Sequence, residues 1–256
     1  MSGPIVVLKF GGTSLGSAGR VRRAAARIAA HRSRGRRPVV VVSAAGRTTD
    51  RLVRRLAAVV PGGRPDGREA DRALATGEDL SAALLAAALA GIGVPARSLR
   101  GGEAGVRAAG DFCGGRIDHV HPHPLRALLD AGVVPVVSGF QGARADGETL
   151  TLGRGGSDTS AVALAAALGA ECHIITDVTA VHDHDPRADA GARPLADMDP
   201  LALVILAEAG ARVVHPEAAR MALADRVPLR VYAWWAPLSG RGGTRVRPAA
   251  ALSEAA

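Results

Sequence analysis

Val6-Val7-Leu8-Lys9-Phe10-Gly11-Gly12-Thr13-Ser14-Leu15-Gly16-Ser17 is the stretch around which the chain is organised. The apolar run from Pro4 to Leu8 reads as a fully buried strand. It breaks into a turn of Gly11, Gly12, Thr13 and Ser14, and from about Ser17 a helical pattern places Val21, Ala24, Ala25 and Ile28 on one face. A strand feeding a Gly-rich turn that opens a helix suits a phosphate: glycines let backbone N–H groups approach the anion, and the helix N-terminus adds a favourable dipole. The spacing is neither G-x-x-x-x-G-K-[ST] nor G-x-G-x-x-G, because Lys9 precedes the glycines.

Of the 32 lysine and arginine residues, Lys9 is the only lysine. An ammonium is a compact, mobile charge that can follow a phosphoryl group, whereas the planar guanidinium suits fixed bidentate contacts. A net charge of +8 raises the question of nucleic acid. The densest basic stretch runs from Arg20 to Arg37, but Arg20, Arg23, Arg27 and Arg34 recur at near-helical spacing opposite the apolar face, as on a solvated helix. With only 2% aromatic residues, stacking platforms are scarce, so no nucleic-acid partner is expected. The longest alanine and leucine run, Ala82–Ala90, is short for a membrane span, and no signal-peptide pattern opens the chain. Cys113 and Cys172 form neither a metal spacing nor a redox pair, in keeping with a cytoplasmic protein.

Strand patterns at Pro38–Ser43, Val133–Ser138, Glu171–Asp177 and Pro228–Ala233 alternate with helical ones at Arg51–Val60, Arg68–Ala90, His123–Ala131, Ser157–Leu168, Leu201–Glu208 and His215–Ala224. The longest helix carries a candidate break at Thr76-Gly77. Weaker strand signals lie at Ala96–Leu99 and Gly105–Ala108, a hairpin spans Phe140–Leu152, and Thr244–Arg247 reads as an edge strand. The alternation predicts an α/β fold, a three-layer αβα sandwich on a mainly parallel central sheet. A second Gly-rich junction, Leu152-Gly153-Arg154-Gly155-Gly156-Ser157-Asp158, again joins strand, turn and helix. Its arginine suits a carboxylate, and its aspartate suits an ammonium, a lysine or a metal ion.

Lys9-Phe10-Gly11-Gly12-Thr13-Ser14 resembles the opening motif of aspartate kinases, in the amino acid kinase superfamily, and LGRGGSD at 152–158 is very similar to a second motif of that family. The resemblance extends over residues 4–247. It implies the amino acid kinase fold and phosphorylation of the β-carboxylate of L-aspartate with ATP and Mg²⁺. The open alternatives are another small acid or amino acid as acceptor, or a non-catalytic member that binds nucleotide or anion. By the same resemblance Lys9 and Asp158 are catalytic, and Thr49, Glu78, Arg154 and Ser157 bind the amino acid. Lys9, Gly11, Gly12, Ser43, Thr176, Asp177, His182, Asp185, Arg187 and Arg212 bind ATP, and no protein metal site is implied. His182 and Arg212 stand where the family has tyrosine and lysine. The implied organisation is one kinase domain over 1–248, with the amino-acid site mainly in 1–138, the nucleotide site mainly in 139–248, and a frayed tail at 249–256. No regulatory ACT domain is expected. Small-molecule partners are implied, no membrane is, and a homodimer is admitted. The runs His119-Val120-His121-Pro122-His123 and His182-Asp183-His184-Asp185 lack zinc-site spacing and read as loop composition.

Overall fold

The structure is a computed structural model that describes residues 3–184, 191–211, 213–237 and 242–247. The tail at 249–256, Asp185, Arg187 and Arg212 lie outside the described residues. In chain order the elements are β1 (Ile5–Phe10), a 3-10 turn (Gly12–Leu15), α1 (Ala18–Ser33), β2 (Arg37–Val42), α2 (Thr48–Val59), α3 (Gly67–Ala90), β3 (Ala96–Leu99), β4 (Val106–Ala109) and β5 (Arg116–Val120). There follow α4 (His123–Asp130), β6 (Val134–Ser138), β7 (Gln141–Ala143), β8 (Thr149–Thr151), α5 (Gly156–Leu168), β9 (Glu171–Thr176), β10 (Asp197–Met198), α6 (Pro200–Glu208), α7 (Pro216–Ala224), β11 (Leu229–Ala233) and β12 (Thr244–Val246).

The central sheet has the order β10-β12-β11-β9-β1-β2-β6-β3. Every neighbouring pair in it is parallel except β11 with β12. Successive strand residues point to opposite faces, so the continuous apolar runs supply two cores. Val6, Leu8, Phe10, Val40 and Val42 join Ala24, Ala25 and Ile28 of α1 and Leu85 and Leu89 of α3. Val7, Val39, Val41, Ile174 and Val231 join side chains of α4, α5, α6 and α7 on the other face. The result is the three-layer arrangement expected from the strand and helix alternation.

A second, four-stranded sheet of order β5-β4-β7-β8 was not expected. The hairpin β7–β8 forms as predicted, but β5 is half-exposed and its sequence, RIDHV, shows no apolar alternation. Two other readings change. Helix α3 runs unbroken through Gly77, where a Cβ would lie 2.9 Å from Ala44 Cβ, so this glycine serves close packing rather than a break. Strand β12 is not an edge, because β10 flanks it. By length and composition α3 could cross a membrane. It lies instead on the sheet, with Asp71, Glu78 and Ser81 buried beside Ala82, Leu85 and Leu89.

The basic helix face is also not simply solvated. Arg27 is 4% exposed and donates to the backbone carbonyls of Trp234 (3.2 Å) and Ala236. The Arg20 guanidinium stacks 4.7 Å from the Trp234 ring, and Arg27 lies 5.3 Å from the Tyr232 ring. These arginines fasten α1 to the chain leaving β11.

Candidate active site

Strands β1, β2, β6 and β9 are parallel neighbours, so their C-terminal ends open along one edge of the sheet, where α/β proteins place ligands. Lys9, the penultimate residue of β1, is 9% exposed, and its Nζ lies 2.7 Å from Asp158 Oδ1 in the first turn of α5. The other oxygen of Asp158 accepts the backbone N–H of His215 at 3.2 Å. Asp158 therefore joins the start of α5, the lysine of β1 and the approach to α7. A buried ion pair is a poor source of net stability, because desolvation offsets most of the attraction. What it supplies here is a fixed position for the only lysine.

The glycines act differently from a simple phosphate cradle. The Gly11 N–H donates to Ile175 O at 3.1 Å, extending the β1–β9 ladder, so that N–H is not free for an anion as expected. A Cβ on Gly11 would stand 3.6 Å from Lys9 Nζ, in van der Waals contact with the ammonium. A Cβ on Gly12 would meet Ala44 O at 2.5 Å, and Gly12 O accepts the Gly46 N–H at 2.9 Å, so Gly12 lets the loops after β1 and β2 touch. At the second junction the N–H groups of Gly156 and Asp158 turn back onto the carbonyls of Gly153 and Gly155. Gly155 is left-handed (φ +74°), and a Cβ there would overlap the His215 ring at 1.9 Å.

Around the pair lies a cavity of about 750 Å³. Its walls bring together Lys9, Ser43, Thr49, Glu78, Arg154, Ser157 and Asp158, seven residues singled out from the sequence. Arg154 is exposed, and no ion pair joins it to a described carboxylate. Glu78 is 3% exposed; its Oε1 accepts the Ala44 N–H at 2.8 Å, while Oε2 is buried with no hydrogen-bond partner. Burial raises its pKa to about 7, against the opposing pull of the Ala44 N–H and the Lys9 charge. A half-satisfied buried carboxylate in a cavity wall is suited to an incoming cation.

A smaller cavity of about 380 Å³ shares Gly155 and Asp158 with the first and is otherwise lined by Ala207, Gly210, Ala211 and Val213–Pro216. Thr176 and Asp177 sit at the end of β9, where the Thr176 hydroxyl donates to Asp177 Oδ1 at 3.2 Å. His182 donates from Nδ1 to the Ala180 carbonyl at 3.1 Å and bridges to Pro194. None of these three lines the larger cavity.

Sequence reasoning missed Asp71, Cys113, Phe140 and His215. Asp71 precedes Glu78 by two helical turns, a spacing that could have flagged it. His215 follows Arg212 by three positions in the sequence, but its role is carried by a backbone N–H that no side-chain reading reveals. Cys113 (φ +68°) and Phe140 (φ +69°) reach the cavity through left-handed backbone that only the fold dictates. Of the two histidine runs, His119 and His121 lie at and just beyond the end of β5 rather than in a plain loop. Asp118 holds His119 Nδ1 at 2.8 Å, and the two Nε2 atoms are 2.8 Å apart. Among the described residues no group of three metal-ligating side chains forms.

Residues 4–233 match the profile of the Amino acid kinase family. An aspartokinase of Thermus thermophilus is 45% identical over 228 residues, 89% of this chain and 56% of that protein. The chain thus spans little more than half the length of the curated relatives it matches. Among solved structures, aspartate kinase from Synechocystis superposes with a TM-score of 0.82 at 41% identity, covering 97% of this chain and 40% of that one. E. coli aspartokinase III in complex with aspartate and ADP superposes with a TM-score of 0.84 at 25% identity, covering 97% of this chain and 65% of that one.

Proposed function

The chain belongs to the amino acid kinase family, and on that premise we propose that it transfers the γ-phosphoryl group of ATP to the β-carboxylate of L-aspartate, giving 4-phospho-L-aspartate and ADP. The observation that carries this reading is the Lys9–Asp158 pair at 2.7 Å, standing where a larger cavity meets a smaller one. The aspartokinase relatives, one of them solved with aspartate and ADP, support the choice of acceptor and donor.

In this reading aspartate occupies the larger cavity. Arg154 grips its α-carboxylate as a bidentate donor. The unpartnered Oε2 of Glu78 receives its α-ammonium, and the hydroxyls of Thr49 and Ser157 complete the contacts. The β-carboxylate is ionised at neutral pH, so no general base is required. One of its oxygens bonds to the γ-phosphorus as the bond from that phosphorus to the bridging oxygen of ADP breaks. Charge then moves along the transfer axis, and Lys9, held by Asp158, neutralises it on the equatorial oxygens. Ser43 faces the phosphates. Thr176, Asp177 and His182, with Asp185, Arg187 and Arg212, form the nucleotide side. The oxygen-only donor set beside Lys9, with Asp158, Ser43 and Ser157, fits a hard cation. Mg²⁺ bound with ATP would screen the phosphate charge, and Asp158 is the carboxylate nearest to hold it.

In this reading residues 1–138 carry mainly the acceptor site and 139–248 mainly the nucleotide site, with Arg154, Ser157 and Asp158 of the second part reaching the acceptor cavity. The reading makes the protein a cytoplasmic enzyme of small-molecule metabolism, acting on neither nucleic acid nor membrane, and admits a homodimer. The test is ATP consumption across aspartate, glutamate and homoserine, with hydroxylamine present to capture acyl phosphates. Turnover with aspartate and a matching yield of hydroxamate is expected. Turnover with homoserine and no hydroxamate, or no turnover with aspartate, would reject the reading.

A further inference from the structure

Asp71 is fully buried, yet it takes no part in the chemistry described above. Its two oxygens both accept the Cys113 N–H, at 3.1 and 3.0 Å; Oδ2 also accepts the Thr151 N–H at 3.1 Å, and Oδ1 accepts the Thr151 hydroxyl. One carboxylate thereby joins α3, β8 and the loop between β4 and β5. Both residues it holds, Cys113 and Thr151, line the larger cavity, as do Leu74 and Glu78 further along α3.

The loop depends on that anchor. Cys113 is left-handed at φ +68°, a conformation that side chains other than glycine and asparagine rarely adopt. Gly110, Gly114 and Gly115 flank it and contribute no side chains to fix it. Its far end is tied by the Gly115 N–H to Thr151 O at 2.9 Å, again at the residue Asp71 holds. The loop also lies directly on the first turn of α3, where a Cβ on Gly67 would stand 2.8 Å from Phe112 Cβ.

Building on the acceptor reading, we propose that Asp71 is a positioning residue for the acceptor site. It holds the Cys113 loop and Thr151 as the outer wall of the cavity, and so sets the affinity for the amino acid without touching it. Asparagine at this position replaces one accepting oxygen with a donor and aims it at N–H groups that also donate.

The test compares wild type with Asp71→Asn on two readouts. The first is hydrogen–deuterium exchange of the Cys113 amide in substrate-free protein, because that N–H is the donor Asp71 holds, whereas the thiol is already exposed. The second is the KM for the acceptor against the KM for ATP. Loss of the tie predicts faster exchange of the Cys113 amide and an acceptor KM raised by about tenfold or more, with the KM for ATP within about twofold. Cys113→Gly, which holds φ +68° freely, is expected to recover part of the acceptor KM in the Asp71→Asn background. If Asp71→Asn does not fold, Thr151→Val removes a single donor and is expected to shift both readouts in the same direction by less. Unchanged amide exchange overturns the tie, and this holds whatever the acceptor is. Faster amide exchange with an unmoved acceptor KM overturns the positioning role and leaves the kinase reading intact. A parallel loss in kcat and both KM values, without recovery by Cys113→Gly, assigns Asp71 to fold stability alone and overturns the proposal. Wild-type protein inactive on aspartate would count against the kinase reading and not against the tie.

Discussion

Replacing Glu78 with Gln is expected to raise stability and weaken acceptor binding in the same protein. The Glu78 carboxyl titrates at about 7 in the fold against 4.5 as its ordinary value, because burial penalises the charge. A pKa raised in the folded state means that the native protein binds more protons than the unfolded chain between those two values. Stability from this group is full below about 4.5 and is lost as pH rises to about 7. At about 1.4 kcal/mol per pH unit, the interval amounts to about 3 kcal/mol, an order-of-magnitude figure. Gln keeps an oxygen for the Ala44 N–H and never ionises, so it avoids that loss. Denaturant titrations at pH 5 and pH 8.5 should therefore show the variant gaining on wild type by up to about 3 kcal/mol at the higher pH, about 2–4 °C in Tm for each kcal/mol. Activity moves the other way. Loss of a charged hydrogen bond to the α-ammonium costs about 1.5–3 kcal/mol, so the acceptor KM at pH 8.5 should rise about tenfold to over a hundredfold while the KM for ATP holds. Wild-type acceptor binding should also weaken as pH falls below about 7, and the variant should lack that dependence. An unchanged acceptor KM would refute the assignment of Glu78 to the ammonium. A variant no more stable at pH 8.5 than wild type would refute the desolvation argument.

Lys9→Arg preserves charge but not shape. The ammonium is held 2.7 Å from Asp158 as a compact charge that the guanidinium fork cannot reproduce, so kcat should fall by about two orders of magnitude or more with ATP binding retained, measured by steady-state kinetics and nucleotide titration. Near-normal turnover would remove Lys9 from the transfer step. Arg154→Ala should raise the acceptor KM about tenfold or more and spare the KM for ATP; the opposite split would put Arg154 on the nucleotide side. At the other end of the sheet, burial lowers the pKa of His31 from 6.5 to about 3, helped by the nearby charges of His173 and Arg36. A depressed pKa keeps its stability contribution above about 6.5 and loses it as pH falls, by about 2 kcal/mol at pH 5. His31→Phe should flatten the acid limb of a denaturation series between pH 7.5 and 5, and an unchanged limb would count against the buried neutral imidazole.

Most of the architecture was legible because local pattern and tertiary role agree. Runs such as Val39–Val42 are apolar at every position, which only a strand covered on both faces satisfies, and Gly-rich turns mark where each strand meets a helix. The motif residues Lys9, Ser43, Thr49, Glu78, Arg154, Ser157 and Asp158 were likewise identified from sequence, and folding gathers them at one cavity. Strand β5 was not legible, since its partner β4 rather than any alternation of its own holds it in a sheet. Nor was the working of the glycines, because Gly11 spends its N–H on Ile175 and Gly155 clears room for His215, both distant in sequence. Arg27 read as solvated because its spacing is that of a helix surface, yet its acceptors are backbone carbonyls of the segment after β11. Asp71 holds Cys113 and Thr151 the same way, through groups that every residue type carries. By itself the sequence determined which side chains carry charge and where strands give way to helices, because these follow from residue type and short spacing. Only the tertiary structure decided which backbone donors and acceptors those side chains meet, because such pairs form between segments far apart in the chain and every residue offers the same N–H and C=O groups until folding selects among them.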